Sequence, residues 1–160
     1  MQNIAFLDGG LGQEINKRSG RDRSHPLWSV QVMIEEPELV VAVHKDFLRA
    51  GARVITANNY SATTTRLAQH ELADKFFEIH QLAASLAHQA IAETFPVPDD
   101  QKGVNVAGVL PPLVASYHVP ANQNYQDCYD QYCSIIAAQA DHVEVFLVET
   151  MSSITEARAA

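Results

Sequence analysis

One stretch near the amino terminus decides the fold: Ile4-Ala5-Phe6-Leu7-Asp8-Gly9-Gly10-Leu11-Gly12-Gln13-Glu14. Its apolar run is too short for a helix and ends at glycines, which predicts a buried strand. The strand delivers Asp8 to a turn in which Gly9 and Gly10 let backbone N–H groups approach a ligand closely. A helix that begins near Glu14 would point its positive end at the same place. The stretch therefore predicts either a small anion-binding site or a tight turn that caps the helix, and by itself it does not separate the two.

The composition is that of an ordinary globular chain. Its 160 residues are 47% hydrophobic and 19% charged, which is most simply one domain with a sizeable core. The net charge of −8 gives no electrostatic attraction to nucleic acid or to an anionic membrane. We find neither the basic and apolar regions of a signal peptide nor a stretch long enough to span a bilayer. We therefore expect a cytoplasmic protein that binds small molecules or proteins, with no nucleic acid and no membrane as partner.

Strand and helix patterns alternate along the rest of the chain. Further strands are predicted over residues 54–57, 104–108 and 143–148. Apolar residues at helical spacing follow Pro37, and a longer helical pattern runs from Leu72 to Ala90. Strand and helix at roughly forty residues per unit are typical of a parallel α/β architecture, whose ligands bind at the carboxyl ends of the strands.

Polar groups and glycine fall at these predicted strand ends, namely Asp8, Thr56 or Asn58, Gly108 and Glu149. The capping box Ser153-Ile154-Thr155-Glu156 already supplies the next helix cap, so Glu149 has no evident structural task. Two acids that converge on one mouth favour a functional site over a simple turn at Asp8.

Two loops are candidates for contact with a ligand. Trp28 lies in a loop, where an aromatic side chain either walls a pocket or packs onto the core, and we favour packing onto the core. Residues 109–124 contain three prolines and form a loop of unusual length, which predicts an active-site loop.

A (β/α)8 barrel of the TIM type fits the pattern better than a dinucleotide-binding fold. Ile15 stands in place of the third glycine of the dinucleotide signature, and the second strand ends at Asn58 without an acid for a ribose. The first crossover is also too long for a compact unit. Eight barrel units of this size need roughly 320 residues. We therefore expect about the first four βα units here, with residues 1–160 forming the N-terminal half of a barrel domain.

Several motifs, in order along the chain, resemble the homocysteine S-methyltransferase family. They are Asp8-Gly9-Gly10-Leu11-Gly12-x-Glu14, Pro26-Leu27-Trp28-Ser29, Val43-His44-x-x-Phe47-Leu48-x-Ala50-Gly51-Ala52-x-Val54-Ile55-Thr56-x-Asn58-x-Tyr60, Ala107-Gly108-x-Leu110-Pro111-Pro112-Leu113 and Glu149-Thr150-Met151 with Glu156-Ala157. The resemblance implies a homocysteine-binding barrel that transfers a methyl group to the thiol of L-homocysteine and gives L-methionine. The implied methyl donor is a sulfonium compound, S-methylmethionine or S-adenosylmethionine. Asn59 departs from the pattern, because the family commonly has threonine there.

The resemblance also implies roles for seven residues, Asp8, Gly9, Gly10, Thr56, Asn58, Tyr60 and Glu149. In these roles the two acids hold the ammonium of homocysteine, and the glycine backbone holds its carboxylate. The other three residues line the pocket.

The family's cofactor is zinc bound by cysteine sulfurs, which favours the reactive thiolate of the substrate. The resemblance places its three zinc-binding cysteines on strands beyond residue 160. Cys128 and Cys133 do not match them and form no C-x-x-C pair. We therefore expect no metal site in this chain, which would be a fragment or truncated product that transfers no methyl group alone.

Two other functions stay open at this stage. Asp8 and Glu149 are also the acid and base pair that a barrel hydrolase needs. The chain is alternatively a non-catalytic half-barrel that binds an amino acid. In either case, the unpaired edges of a half-barrel predict self-association.

Overall fold

The computed structural model describes residues 4–20 and 26–160. Seven α-helices and three strands lie in these ranges, together with two short 3-10 helices at Ala73–Lys75 and Pro98–Gln101. The elements in chain order are α1 (Leu11–Ser19), α2 (Ser29–Glu35), α3 (Pro37–Arg49), β1 (Val54–Thr56), α4 (Thr64–Ala68), α5 (Phe76–Thr94), β2 (Asn105–Leu110), α6 (Tyr125–Ala137), β3 (Val145–Val148) and α7 (Ile154–Ala159). None of the described helices combines the length and the apolar character needed to cross a membrane.

The three strands form one parallel sheet in the order β1, β2, β3. Strands that are neighbours in space are therefore also neighbours in sequence. A doubly wound fold reverses its strand order at a switch point, whereas a barrel keeps it. The described strands show no reversal, which is compatible with part of a barrel, and they confirm the expected parallel α/β class.

Residues 4–8 extend this sheet beyond β1 by a short parallel bridge. Leu7 bridges Val54, and the N–H of Asp8 donates to the carbonyl of Val54 at 2.9 Å. The side chains of Ile4 and Phe6 are 79% and 68% exposed, so the prediction of a buried strand is wrong. The reason is that the described residues give the segment a neighbour on one side only. The structure thus shows three strands and a bridged segment, and not four regular βα units.

The core lies where α3, α5 and α6 pack against β1 and β2. The helices contribute the apolar faces that their spacing predicted, with Val40, Val43, Ile79 and Ala83 among the fully buried side chains. This packing fixes the carboxyl ends of the strands, from which the candidate site is built.

Gly108 lies inside β2, two residues before the strand ends, and not at the strand end as expected. A Cβ added there would lie 2.7 Å from Oε1 of Gln139 and 2.8 Å from Cε1 of Phe146. The glycine therefore allows close packing of the residues that follow α6 and of β3 against the middle of β2.

Two helix starts also differ from the sequence expectation. Helix α1 begins at Leu11, directly after the glycines, and not near Glu14. At α7, Ser153 Oγ accepts a hydrogen bond from the Glu156 N–H at 3.0 Å, which is half of a capping box. The Glu156 carboxylate does not complete the box, because its Oε1 accepts instead from the N–H of Leu113 at 3.0 Å.

Candidate functional site

One cavity of about 780 Å³ opens at the carboxyl ends of the strands, and its volume lies within the range typical of small-molecule sites. All seven residues proposed from the sequence line it, Asp8, Gly9, Gly10, Thr56, Asn58, Tyr60 and Glu149. The structure thus brings together side chains that are separated by up to 141 positions in the sequence.

Asp8 is fixed at the base of this cavity by Thr56. Its Oδ2 accepts hydrogen bonds from the Thr56 N–H at 2.8 Å and from the Thr56 hydroxyl at 3.0 Å. Burial raises the pKa of Asp8 above its ordinary value, and the hydrogen bonds from Thr56 act in the opposite direction. Thr56 therefore orients the carboxylate as well as lining the pocket.

Glu149 follows β3 and is held by its backbone, since its N–H donates to the carbonyl of Leu110 at 3.2 Å. Its carboxylate accepts no hydrogen bond from the described residues. Burial, and secondly the charge of Asp8, raise the pKa of Glu149. Two half-buried carboxylates that repel each other form a site for a cation, because a positive group between them would offset both costs.

The backbone beside Asp8 offers the opposite polarity. Gly10 is the N-cap of α1, and no side chain caps this helix. The Leu11 N–H donates to the Gly9 carbonyl at 2.8 Å, so the remaining N–H groups of the first turn are available to an anion. The helix dipole favours negative charge there. At Gly9 a Cβ would lie 2.9 Å from Cε1 of Phe47, so a larger residue would crowd the turn.

Asn58 forms a wall of the cavity, and both ends of its amide are used internally. Its Nδ2 donates to the carbonyl of Ser29 at 2.9 Å, and its Oδ1 accepts from the Ser29 hydroxyl at 2.6 Å. The side chain is only 3% exposed. Asn58 thus ties the end of β1 to the start of α2, which holds the neighbouring wall of the cavity.

Aromatic side chains form another side of the cavity. The hydroxyls of Tyr60 and Ser116 lie 2.7 Å apart, and this contact ties the end of β1 to the 109–124 loop. Trp28 also lines the cavity and is 36% exposed, so our preference for a core-packing tryptophan is wrong. The long loop also lines the cavity, through Val114, Ala115, Ser116 and Tyr117.

Asn59 and His80 support the β1 loop from behind. The Asn59 Nδ2 donates to Nδ1 of His80 at 2.8 Å, and the His80 Nε2–H donates to the carbonyl of Ala62 at 3.0 Å. Burial lowers the pKa of His80 to about 4, so the ring is neutral and holds a single tautomer at neutral pH. Asn59, which departs from the family pattern, is therefore hydrogen-bonded to His80 on α5.

Sequence reasoning missed Arg66, which also lines the cavity. It lies on α4, ten residues after Thr56, where no strand end marks it. The sequence feature that could have indicated Arg66 is its position shortly after the polar segment Asn58-Asn59-Tyr60.

The described residues do not fit a cysteine-bound metal. Cys128 is buried on α6, and burial raises the pKa of its thiol, whereas Cys133 is exposed on the same helix. Neither cysteine lines the cavity. Within residues 4–20 and 26–160, no group of three or more His, Cys, Asp or Glu side chains could hold a metal ion. We therefore derive no chemical step through a metal from these residues.

Comparisons with known proteins agree with this architecture. The homocysteine S-methyltransferase of Escherichia coli K12 is 33% identical over 143 residues, which are 88% of this chain and 44% of that protein. A selenocysteine Se-methyltransferase of Brassica oleracea var. italica is 44% identical over 59 residues, 37% of this chain and 17% of that protein.

Among solved structures, the metallated form of the homocysteine methyltransferase MmuM from Escherichia coli superposes with a TM-score of 0.87 at 25% identity. The match covers 99% of this chain and 57% of that one. The chain thus spans about half the length of these Escherichia coli relatives. A family model described as homocysteine S-methyltransferase matches residues 5–160. This match covers nearly the whole sequence and confirms the resemblance, and the chain belongs to the homocysteine S-methyltransferase family.

Proposed function

We propose that this chain binds L-homocysteine in the cavity, as the N-terminal half of a domain that methylates the substrate thiol to give L-methionine. The observation that carries the proposal is the pairing of two half-buried acids, Asp8 and Glu149, with the uncapped start of α1. An α-amino acid carries an ammonium and a carboxylate on one carbon, and this arrangement is complementary to both. Membership of the family supports the thiol as the reacting group.

In this proposal the residues bind and orient the substrate. Asp8 and Glu149 hold the ammonium, and Thr56 keeps Asp8 in place. The backbone N–H groups of the Gly9-Gly10 turn and of the start of α1 hold the carboxylate. The apolar and aromatic wall around Trp28 and Tyr60 excludes water from the side chain. The thiol thereby lies at a fixed position at the mouth of the cavity.

In the reaction the homocysteine sulfur attacks the methyl carbon of a sulfonium donor. A new S–CH₃ bond forms as the donor's S–CH₃ bond breaks and its electron pair returns to the donor sulfur, which becomes a neutral thioether. The thiol proton leaves to solvent. Zinc, when bound by cysteine sulfurs, favours the thiolate. Since the described residues do not fit such a site, our proposal places the metal ligands outside them.

The test is thermal protection of the purified 160-residue chain by L-homocysteine under reducing conditions. A ligand at 100 times its Kd adds about 2.7 kcal/mol, which should raise Tm by about 5 °C or more. Two matched ligands serve as controls: 4-mercaptobutyrate lacks the ammonium, and 3-aminopropanethiol lacks the carboxylate. We expect both to protect much less than homocysteine.

The outcomes separate the candidate functions. Protection by sugars and not by homocysteine would indicate a hydrolase and overturn the proposal. Equal protection by homocysteine and by amino acids without sulfur would indicate a general amino-acid-binding half-barrel. We expect no methionine from the 160-residue chain with homocysteine and S-methylmethionine, so methyl transfer by this chain would contradict our placement of the metal ligands.

A further inference from the structure

Arg66 is the one lysine or arginine among the described residues that line the cavity. It lies on α4, the short helix that follows the β1 loop. The acids and the start of α1 account for both charged groups of an amino-acid substrate, and Arg66 takes no part in that arrangement. Its charge therefore needs a separate explanation.

The guanidinium is held by two hydrogen bonds to the loop, and it feels the negative charge of Glu156 without pairing directly with that carboxylate. Its Nε donates to the carbonyl of Val114 at 2.9 Å, and its Nη2 donates to the carbonyl of Pro112 at 3.3 Å. Its central carbon lies 5.8 Å from the centroid of the Tyr60 ring. Nη1 donates to none of the described residues, and the group forms no ion pair with a described carboxylate.

A half-buried cation without an ion pair carries a desolvation cost that an anionic ligand can offset. The fixed Nε and Nη2 contacts leave the other donors of the fork pre-organised, which suits recognition of a carboxylate. Homocysteine is a net neutral zwitterion, so its binding between the acids and α1 leaves Arg66 unmatched. The second substrate of a two-substrate reaction is the remaining source of an anion.

We propose that Arg66 binds a carboxylate of the methyl donor, and that the donor subsite lies between Tyr60, Arg66 and the 114–117 part of the loop. This inference rests on the proposed function. It assigns a binding role to a residue on α4 and requires a donor that carries a carboxylate beside its transferable methyl group.

The competing explanation is that Arg66 only fixes the loop through the carbonyls of Pro112 and Val114. Tyr132 on α6 provides a matched control, because its hydroxyl donates to the carbonyl of Pro111 in the same loop at 2.9 Å. Tyr132 does not line the cavity. Tyr132→Phe therefore loosens the loop without removing the cation.

The experiment uses calorimetry to measure how tightly two sulfonium probes bind to the homocysteine-saturated chain. The two probes differ in one group. S-Methyl-L-methionine carries the carboxylate, and (3-aminopropyl)dimethylsulfonium lacks it. We expect Arg66→Gln to weaken binding of the first probe about tenfold or more, as loss of a charge-assisted hydrogen bond implies, and to leave the second unchanged. Arg66→Lys, which keeps the charge but not the fork, should retain part of the preference. Tyr132→Phe should leave the preference intact.

Each alternative outcome has a defined meaning. An equal loss for both probes, or the same loss in Tyr132→Phe, would show a loop role only and overturn the inference. Weakened homocysteine binding in Arg66→Gln would assign the Arg66 guanidinium to the first substrate, and this result would also overturn the inference. A chain that binds homocysteine but neither probe has no donor subsite here and contradicts the inference. Failure to bind homocysteine at all would instead contradict the proposed function.

Discussion

Glu149 carries a free-energy cost in the folded chain. Burial and the charge of Asp8 raise its pKa above the value it has in the unfolded chain. For such a group, the stability it contributes is fully present below the unfolded pKa and is lost as pH rises through the folded pKa. Ionisation of Glu149 as pH rises therefore opposes folding until a cation binds. This is the pattern of a residue retained for binding rather than for stability.

We expect Glu149→Gln to raise the Tm of the ligand-free chain at neutral pH, because the amide removes the cost of the half-buried charge. The gain should shrink on acidification and vanish below the ordinary glutamate pKa of about 4. Thermal unfolding followed by circular dichroism between pH 4 and 7.5 measures both effects. The same variant should lose protection by homocysteine.

The control for this variant is Glu38→Gln, which removes an exposed charge at the start of α3, away from the cavity. It should give no stabilisation. A lower Tm for Glu149→Gln at neutral pH would contradict our account of the buried acids.

The positions of the site residues followed from the sequence where a strand end carries them. Asp8 and Glu149 each follow an apolar run, and parallel strands bring such ends to one mouth. Two other features of the site could not be predicted from the sequence. They are the hydrogen bonds between Asn58 and Ser29 and the position of Arg66 on the cavity wall. Both depend on how α2 and α4 pack, which no local pattern encodes.

At the scale of the elements, the first part of the long loop is held by side chains from several helices and from the turn before α4. The Tyr132 hydroxyl of α6 donates to the carbonyl of Pro111 at 2.9 Å, and Thr63, which precedes α4, donates to that of Leu113. Glu156 of α7 accepts from the Leu113 N–H and is 1% exposed. These contacts explain how a segment without regular structure can form one wall of a cavity.

Glu156→Leu should release this loop, because the Leu113 N–H is then buried without an acceptor, at a cost of about 1–3 kcal/mol. Hydrogen exchange at the Leu113 amide should accelerate. Glu156→Gln keeps an oxygen acceptor and should leave exchange at this amide nearly unchanged. Equal acceleration in both variants would show that the charge, and not the hydrogen bond, holds the loop.

Close packing around Gly108, in the middle of β2, leads to a separate prediction. In Gly108→Ala the new Cβ would overlap Gln139, which is fully buried, and Phe146 of β3. Overpacking of this kind costs about 1–3 kcal/mol, measurable as a lower midpoint in urea. Gly10→Ala is the matched control, since its Cβ would meet only the Gln13 side chain, at 3.4 Å. A larger loss in Gly10→Ala would contradict this assignment of strain.

The sequence located β1, β2 and β3 to within three residues at each end, because apolar runs bounded by glycine or polar residues are local signals. It also predicted helices α3 and α5 from their spacing. It failed on the burial of residues 4–7 and on the second half of the capping box at α7. Both depend on tertiary neighbours: a second pairing partner for the segment, and the Leu113 amide that takes the Glu156 carboxylate.

At the scale of the whole molecule, the described sheet has two edges without a partner strand. One edge lies beyond residues 4–8 and the other beyond β3. Leu7 is 54% exposed and Val145 is 45% exposed, so apolar side chains accompany the unpaired backbone groups. Such edges favour pairing between molecules, whereas the net charge of −8 opposes it.

We therefore expect the purified 160-residue chain to associate reversibly, and to associate more strongly as salt screens its net charge. Sedimentation velocity over a range of protein and salt concentrations measures this. Val145→Lys should weaken association about tenfold, because a lysine on an edge strand disfavours pairing and lies at the start of β3, away from the cavity mouth. Phe77→Lys on α5 removes a side chain that is 56% exposed but lies off the sheet edges, and it should have little effect. Equal weakening of the association by both variants would indicate general hydrophobic contact. A chain that is monomeric at every concentration and has one sharp thermal transition would show that the edges are protected within a single chain.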